Sequence, residues 1–229
     1  MITDKDIPGL RKLWQQAFGD SDALLDKFFS VGFSTDRCNC IREGAEIVVA
    51  LYWFDCTWKG KKVAYIYAVA TEKAHRGKGL CRRLMEDTHR LLQSRGYCGA
   101  ALVPAEKSLF EMYEKFGYRP FCTVETKTQA VSALPPATAI SPAEYGALRV
   151  AFVGDNALLQ DRATLDFLAG YGSFYKGENL LFCGYREGEN FHLEEAFGLH
   201  APSAQPLQAM YLPLDGSEVL PDYFAIPLN

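Results

Sequence analysis

The sequence predicts an α/β domain followed by a smaller α+β domain, and three observations carry that reading. Residues 1–131 mix helical apolar periodicity with alternating and fully apolar strand patterns. Gly99–Val103 is a short, continuous apolar run of the kind found in strands buried on both faces. Ser132–Pro142 contains Pro135-Pro136 and many small residues, and proline removes backbone donors and discourages helix. The expected organisation is a first domain at 1–131, a linker at 132–142 and a second domain at 143–229. With 229 residues, 48% of them hydrophobic, the chain can build a substantial core, domains typically running roughly 100–200 residues.

The elements follow in order. Asp6–Phe18 puts Ile7, Leu10, Leu13, Trp14 and Ala17 on one helical face and ends at Gly19. Asp22–Gly32 reads as a second, more apolar helix. Cys38–Arg42, Glu46–Thr57 and Lys62–Thr71 read as strands, with turns at Glu43-Gly44 and Lys59-Gly60. Leu80–Ser94 is helical, with Leu80, Leu84, Thr88, Leu91 and Leu92 facing inward and Gly96 past its end. Lys107–Phe116 is the last helix of the first domain, stopped by Gly117. Beyond the break, Ser141–Phe152 and Arg162–Ala169 read as helices. Leu180–Arg186, Phe191–Ala196, Leu207–Leu212 and Tyr223–Pro227 read as strands.

Composition removes several function classes. A net charge of −4 argues against nonspecific nucleic-acid binding. The longest strongly apolar run, Ile47–Phe54, is far shorter than the roughly 20 residues that span a bilayer. The start, Met1-Ile2-Thr3-Asp4-Lys5-Asp6, is acidic where a signal peptide would be basic. Seven cysteines are scattered without CxxC or zinc spacing, which reads as reduced thiols in a cytoplasm and no metal.

The chemistry lies after the third strand. Val69-Ala70-Thr71 leads into Arg76-Gly77-Lys78-Gly79-Leu80-Cys81, and a helix begins directly from that loop. Free amides at a helix start, with the positive end of the helix dipole, make an anion site suited to a pyrophosphate. Glycines let the backbone approach the phosphates. The loop is neither a Walker A motif nor GxGxxG.

These residues resemble the GCN5-related N-acetyltransferase (GNAT) superfamily, whose loop is Arg/Gln-x-x-Gly-x-Gly/Ala. Arg76, Gly79 and Cys81 occupy those places, with cysteine as a departure. A second element, Tyr113-Glu114-Lys115-Phe116-Gly117-Tyr118, is similar to the family's Tyr-Glu-Lys-x-Gly-Phe. The resemblance implies a splayed mixed sheet flanked by helices over residues 1–128, and acetyl-CoA as co-substrate. Val69, Ala70 and Thr71 would pair with the pantetheine arm. The amides of Gly77, Lys78, Gly79, Leu80, Cys81 and Arg82 would hold the pyrophosphate, and Tyr113 would protonate the departing thiolate.

Two positions depart from the pattern. Ala101 stands where members often carry a glutamate base, and Glu106 where they carry an asparagine. Glu106 is either that base or a helix-start acid favouring the dipole. His75, Arg82-Arg83 and Lys59, Lys61 and Lys62 either meet phosphates or form solvated faces. Tyr52, Trp53, Phe54, Trp58, Tyr65 and Tyr67 alternate as a sheet core does, or partly line an acceptor pocket.

The sequence also resembles the two-part Eis-like acetyltransferases, which carry a degenerate second GNAT-like region. There the terminal carboxylate approaches the active site, which makes that of Asn229 a candidate base. The implied function is N-acetylation of a primary amine on a small molecule or peptide. The alternative is a non-catalytic acyl-CoA-binding or regulatory module. The second domain is expected to shape the acceptor site or to form an oligomer contact, such as that of a homodimer.

Overall fold

The computed structural model describes residues 2–199 and 206–228. Helices α1 (Ile7–Phe18) and α2 (Asp22–Lys27) open the chain, α2 running on through a wider turn at Phe28–Gly32. α1 stops where Gly19 takes a left-handed φ of 73° and its amide closes on the Gln15 carbonyl. Ser21 starts α2 by accepting from the Leu24 amide. Next come β1 (Cys38–Glu43), β2 (Glu46–Trp58) and β3 (Lys61–Thr71), then α3 (Leu80–Ser94) and β4 (Gly99–Leu102). α4 (Lys107–Glu114) and β5 (Arg119–Val124) follow. The remainder holds β6 (Lys127–Ala130), β7 (Thr138–Ile140), α5 (Pro142–Arg149), β8 (Leu159–Gln160) and α6 (Arg162–Leu168). It ends with β9 (Ser173–Gly177), β10 (Leu180–Glu187), β11 (Asn190–Phe197) and β12 (Leu207–Pro213).

The first sheet runs β1-β2-β3-β4-β12-β5, with β8 beside β2. Only β3 and β4 pair in parallel. Two helices cover each face, so β2 is buried almost throughout. The strand period of two divides its side chains: Tyr52, Phe54 and Cys56 join the core with α1 and α2, while Leu51 and Trp53 join α3 and α4. The buried face of α3 is Leu84, Met85, Thr88, His89 and Leu92, whereas Leu80 and Leu91, expected inward, are half-buried. His89 was hidden from an apolar count because its polar atom is satisfied inside. Its Nε2 lies 2.9 Å from the Tyr118 hydroxyl, and burial lowers its pKa to about 4, so the ring stays neutral.

The second sheet runs β6-β11-β10-β9-β7, antiparallel throughout. Two residues outside this sheet extend the core on the α1–α2 face: Phe167 of α6 stacks on Phe54 at 5.8 Å, and Phe224, beyond β12, meets Tyr65 at 4.9 Å. Arg149 of α5 and Glu195 of β11, both buried, pair at 2.7 Å inside this layer. Tyr145 and Tyr223 also donate to Glu195, at 2.8 and 2.6 Å. Such a pair locks position more than it adds stability; removing one partner would leave a buried charge, at about 3–5 kcal/mol.

Three expectations need correction. The segment 132–142 is not a free linker, because β7 pairs with β9 and closes the edge of the second sheet. Tyr223–Pro227 is not a strand. Tyr223 makes one bridge to Ala157, and Ile226 and Leu228 take φ of 59° and 58°, which ends any extended run. Finally, β12 belongs to the first sheet, between β4 and β5, so residues 127–197 are an insertion between two neighbouring strands. The expected division at 131 and 143 crosses these pairings, since β6 lies in the second sheet and β12 in the first. β5, β6, β8 and β9 are strands that periodicity did not mark, each short and with mixed burial.

The seating of β12 depends on one missing side chain. A Cβ at Gly99 would collide with the Tyr211 ring and hydroxyl, and Tyr211 is fully buried. Gly99→Ala should therefore destabilise the fold by about 1–3 kcal/mol through overpacking, read as a lowered thermal midpoint. Adding Tyr211→Leu should recover part of that loss.

Candidate active site

The decisive geometry is a parting of strands. β3 and β4 pair only at Val63–Gly99, Ala64–Ala100 and Tyr65–Ala101, and beyond that they diverge. Two local features drive them apart. On β3 the register against β2 slips between Ala50 and Tyr52, and Ala68 takes a left-handed φ of 48°, the mark of a bulge. On β4 the chain reaches Pro104, which cannot donate to a ladder. The result is a cleft of about 540 Å³ with the free edge of β3 as one wall. Ile66, Tyr67, Ala68 and Val69 line that wall; Leu102–Ala105, Leu109 and Tyr113 line the other.

The glycine loop sits where β3 ends. Gly77 and Gly79 have φ of 75° and 76°, and a Cβ at either would meet nothing within 4 Å, so both face open space. Leu80, Cys81 and Arg82 are the first three residues of α3, whose amides have no partner within the helix. The loop is held at its base. The Arg76 Nε donates to the Thr71 carbonyl at 3.1 Å. His75 is gripped by Glu72 at 2.5 Å and Glu43 at 3.0 Å, which raise its pKa. His75 therefore pins the loop from behind. The arrangement fits a diphosphate: open amides, a helix start and the cations Arg76, Lys78, Arg82 and Arg83 around it.

Tyr113 lies across the cleft, 7% exposed, edge-on to Phe116 and Tyr118 at 6.1 and 5.8 Å. Burial raises its phenol pKa, so it stays protonated throughout the neutral range. Glu106 is exposed at the start of α4, accepts from the Ser108 hydroxyl at 3.3 Å, and is not part of the cleft lining. Ala101 is fully buried between Tyr65 and Tyr211 and leaves its strand position without a carboxylate. Lys61 and Lys62 begin β3, about 33 Å from the loop at its far end by strand rise, and Lys61 pairs with Asp215 at 3.1 Å. They do not serve a phosphate at the loop. Tyr52, Trp53, Phe54 and Trp58 are core, while Tyr65 and Tyr67 reach the cleft.

Three cleft residues were not legible as site residues. Trp14 was assigned to a core face and does pack there, yet its ring also lines the cleft and its Nε1 donates to Asp20 at 2.7 Å. Asp20, just past the end of α1, is the only charged side chain lining the cleft among the described residues. Leu228 lines it from the chain's end. Asn229, whose carboxylate was a candidate base, lies outside the described residues.

The acetyltransferase (GNAT) domain family matches residues 1–121, more than half of the chain. The chain belongs to the GNAT family. Solved structures place this GNAT chain in the same fold. A GCN5-related N-acetyltransferase from Kribbella flavida is 15% identical with a TM-score of 0.69, over 93% of this chain and 70% of that one. One from Anabaena variabilis is 14% identical at 0.68, over 93% and 71%. Eis1 from Mycobacterium abscessus is 14% identical at 0.59, over 80% and 52%. No curated protein matches. Among the described residues of this GNAT chain, no group of three or more His, Cys, Asp or Glu could hold a metal ion, and no helix is long and apolar enough to cross a membrane.

Proposed function

We propose that the protein is an acetyl-CoA-dependent N-acetyltransferase acting on a primary amine of a small molecule or peptide in the cytoplasm. The observation that carries this reading is the parted β3–β4 edge with the glycine loop at one end and Tyr113 across it. Acetyl-CoA supplies a thioester carbonyl and a thiolate leaving group. The amides of Gly77–Arg82 hold its pyrophosphate, and the open edge at Val69–Thr71 takes the pantetheine arm as an added strand. Tyr113, kept protonated by burial, donates its proton to the departing sulfur.

The acceptor enters from the α1 side. Asp20 attracts its ammonium group, and Trp14, Phe18 and Tyr67 offer aromatic faces beside it. The amine attacks as the free base, its proton having passed to water. Glu106, outside the cleft lining, suits a helix-start acid better than a base.

The rival reading, a CoA-binding module without turnover, is favoured by the missing carboxylate at Ala101. Calorimetry with acetyl-CoA, followed by a thiol-release screen over amines, separates the two. Both readings give binding, and only the enzyme releases CoA.

Three variants test the assignments. Gly79→Asp puts a charged side chain where the phosphates sit, and CoA binding should vanish in calorimetry while the circular dichroism spectrum holds. A wild-type affinity would remove the loop from the site. Tyr113→Phe keeps the packing and should lower kcat by roughly 10²-fold with acetyl-CoA affinity unchanged. A kcat within about threefold of wild type would make Tyr113 structural. Asp20→Asn should raise the acceptor KM by about tenfold, the effect shrinking as salt screens the attraction.

A further inference from the structure

The chain's end is held in the cleft wall by hydrogen bonds to every backbone polar group from Ala225 to Leu228 except one amide. Gln160 donates to the carbonyls of Ala225 and Ile226, the second at 3.1 Å. Tyr65 donates to Pro227, and Tyr67 to Leu228 at 3.1 Å. The amides of Ile226 and Leu228 both go to one residue of the second sheet. The Ile226 N–H donates to the Glu194 carbonyl at 3.2 Å, and the Leu228 N–H donates to the Glu194 carboxylate.

Glu194 can do this because β11 carries a bulge. Cys183 pairs with Glu195 and Gly184 with Leu193, so Glu194 is the extra residue without a register partner. A bulge breaks the alternation, and Glu194 and Glu195 both point inward, each 3% exposed. They are used differently. Glu195 is saturated by Arg149, Tyr145 and Tyr223. Glu194 has Leu228 alone, and its Oε2 is buried without a partner among the described residues. A carboxylate satisfied at one atom is a poor core residue, and what it holds is a chain end with left-handed Ile226 and Leu228.

We propose that Glu194 is a positioning residue of the acceptor cleft: from the bulge in β11 it clamps residues 226–228 against β3, so that Leu228 completes the wall beside Tyr67. This rests on the cleft being the acceptor site. Burial also raises the Glu194 pKa to about 7. The titratable groups facing it are Tyr65 and Tyr67 of β3, Tyr171 after α6, and Cys183 and Tyr185 of β10, all with pKa values raised by burial and all neutral near pH 7. The nearby Arg149 is committed to Glu195. Lys127 of β6, which lines a cavity with Glu194, pairs with Glu125 at 3.5 Å, so among the described residues no free cation offsets the charge and the seated tail binds the proton more tightly than the opened tail. Seating is firmest at acid pH, weakens as pH rises from the ordinary glutamate value towards 7, and levels off above it.

The test is hydrogen exchange of segment 220–228 in the full-length protein, corrected for intrinsic rates, at pH 5, 6, 7 and 8. Wild type should open on the order of 10²-fold more at pH 8 than at pH 5. Glu194→Gln, which keeps the acceptor oxygen and cannot ionise, should show no such step. Glu194→Ala should open the segment at every pH and raise the acceptor KM at least tenfold with kcat within about threefold. Acetyl-CoA affinity should stay at the wild-type value in both, which also reports that they fold. An equal step in Glu194→Gln, or a segment still protected in Glu194→Ala, overturns the clamp. Absence of turnover in wild type would remove the acetyltransferase reading while leaving exchange to decide the clamp.

Discussion

The cleft of this molecule depends on β3 and β4 ceasing to pair after three residues. A parallel ladder that continued would bury the β3 edge and leave no cleft. The break leaves the edge-facing backbone groups of Ile66–Ala70 without β4 partners, and those groups need others. Under the proposed function an extended ligand arm would satisfy them as a strand would, which would account for an otherwise hazardous open edge. The bulge at Ala68 and the proline at 104 are local features whose combined effect is this single opening.

The inserted second sheet holds the tail that lines that opening. β12 returns to the first sheet beside β4, so the insertion 127–197 is tethered at both ends to strands of the same sheet. It cannot drift as an independent domain on a linker would. Its Phe167 packs on Phe54 and its Glu194 carbonyl accepts from the Ile226 amide, while Phe224 of the tail meets Tyr65, so that Leu228 joins residues from α1, β3 and α4 at the cleft. The cleft lining thus combines residues from Trp14 to Tyr113 with Leu207 and Leu228.

The loop and the tyrosine element were legible because their chemistry is local. Gly77 and Gly79 are required by left-handed φ values, and Tyr113 by its place on a short helix, so spacing alone exposes them. Asp20, Trp14 and Leu228 carry no such signature. Asp20 follows a helix end, where an acid is ordinary, and becomes notable only because the Trp14 indole and the β3 wall enclose it. In the sequence Glu194 and Glu195 are adjacent acids within a strand, where simple alternation would turn one of them to solvent. The bulge that turned both inward leaves no trace in hydrophobic periodicity.

By itself the sequence determined the helices and most strands of the first fold, the glycine loop before α3, and the fold class. Each depends on residues within about ten positions of one another, through periodicity, capping and glycine conformation. The tertiary structure alone decided that β12 enters the first sheet, that 132–142 is sheet edge and not linker, and that the tail bends into the cleft. Those outcomes turn on which distant surfaces fit: Gly99 leaving room for Tyr211, Gln160 reaching the Ala225 and Ile226 carbonyls, and Glu194 reaching the Leu228 amide. Complementarity between segments some 35 to 110 residues apart is a property of the packed chain, and no local pattern encodes it.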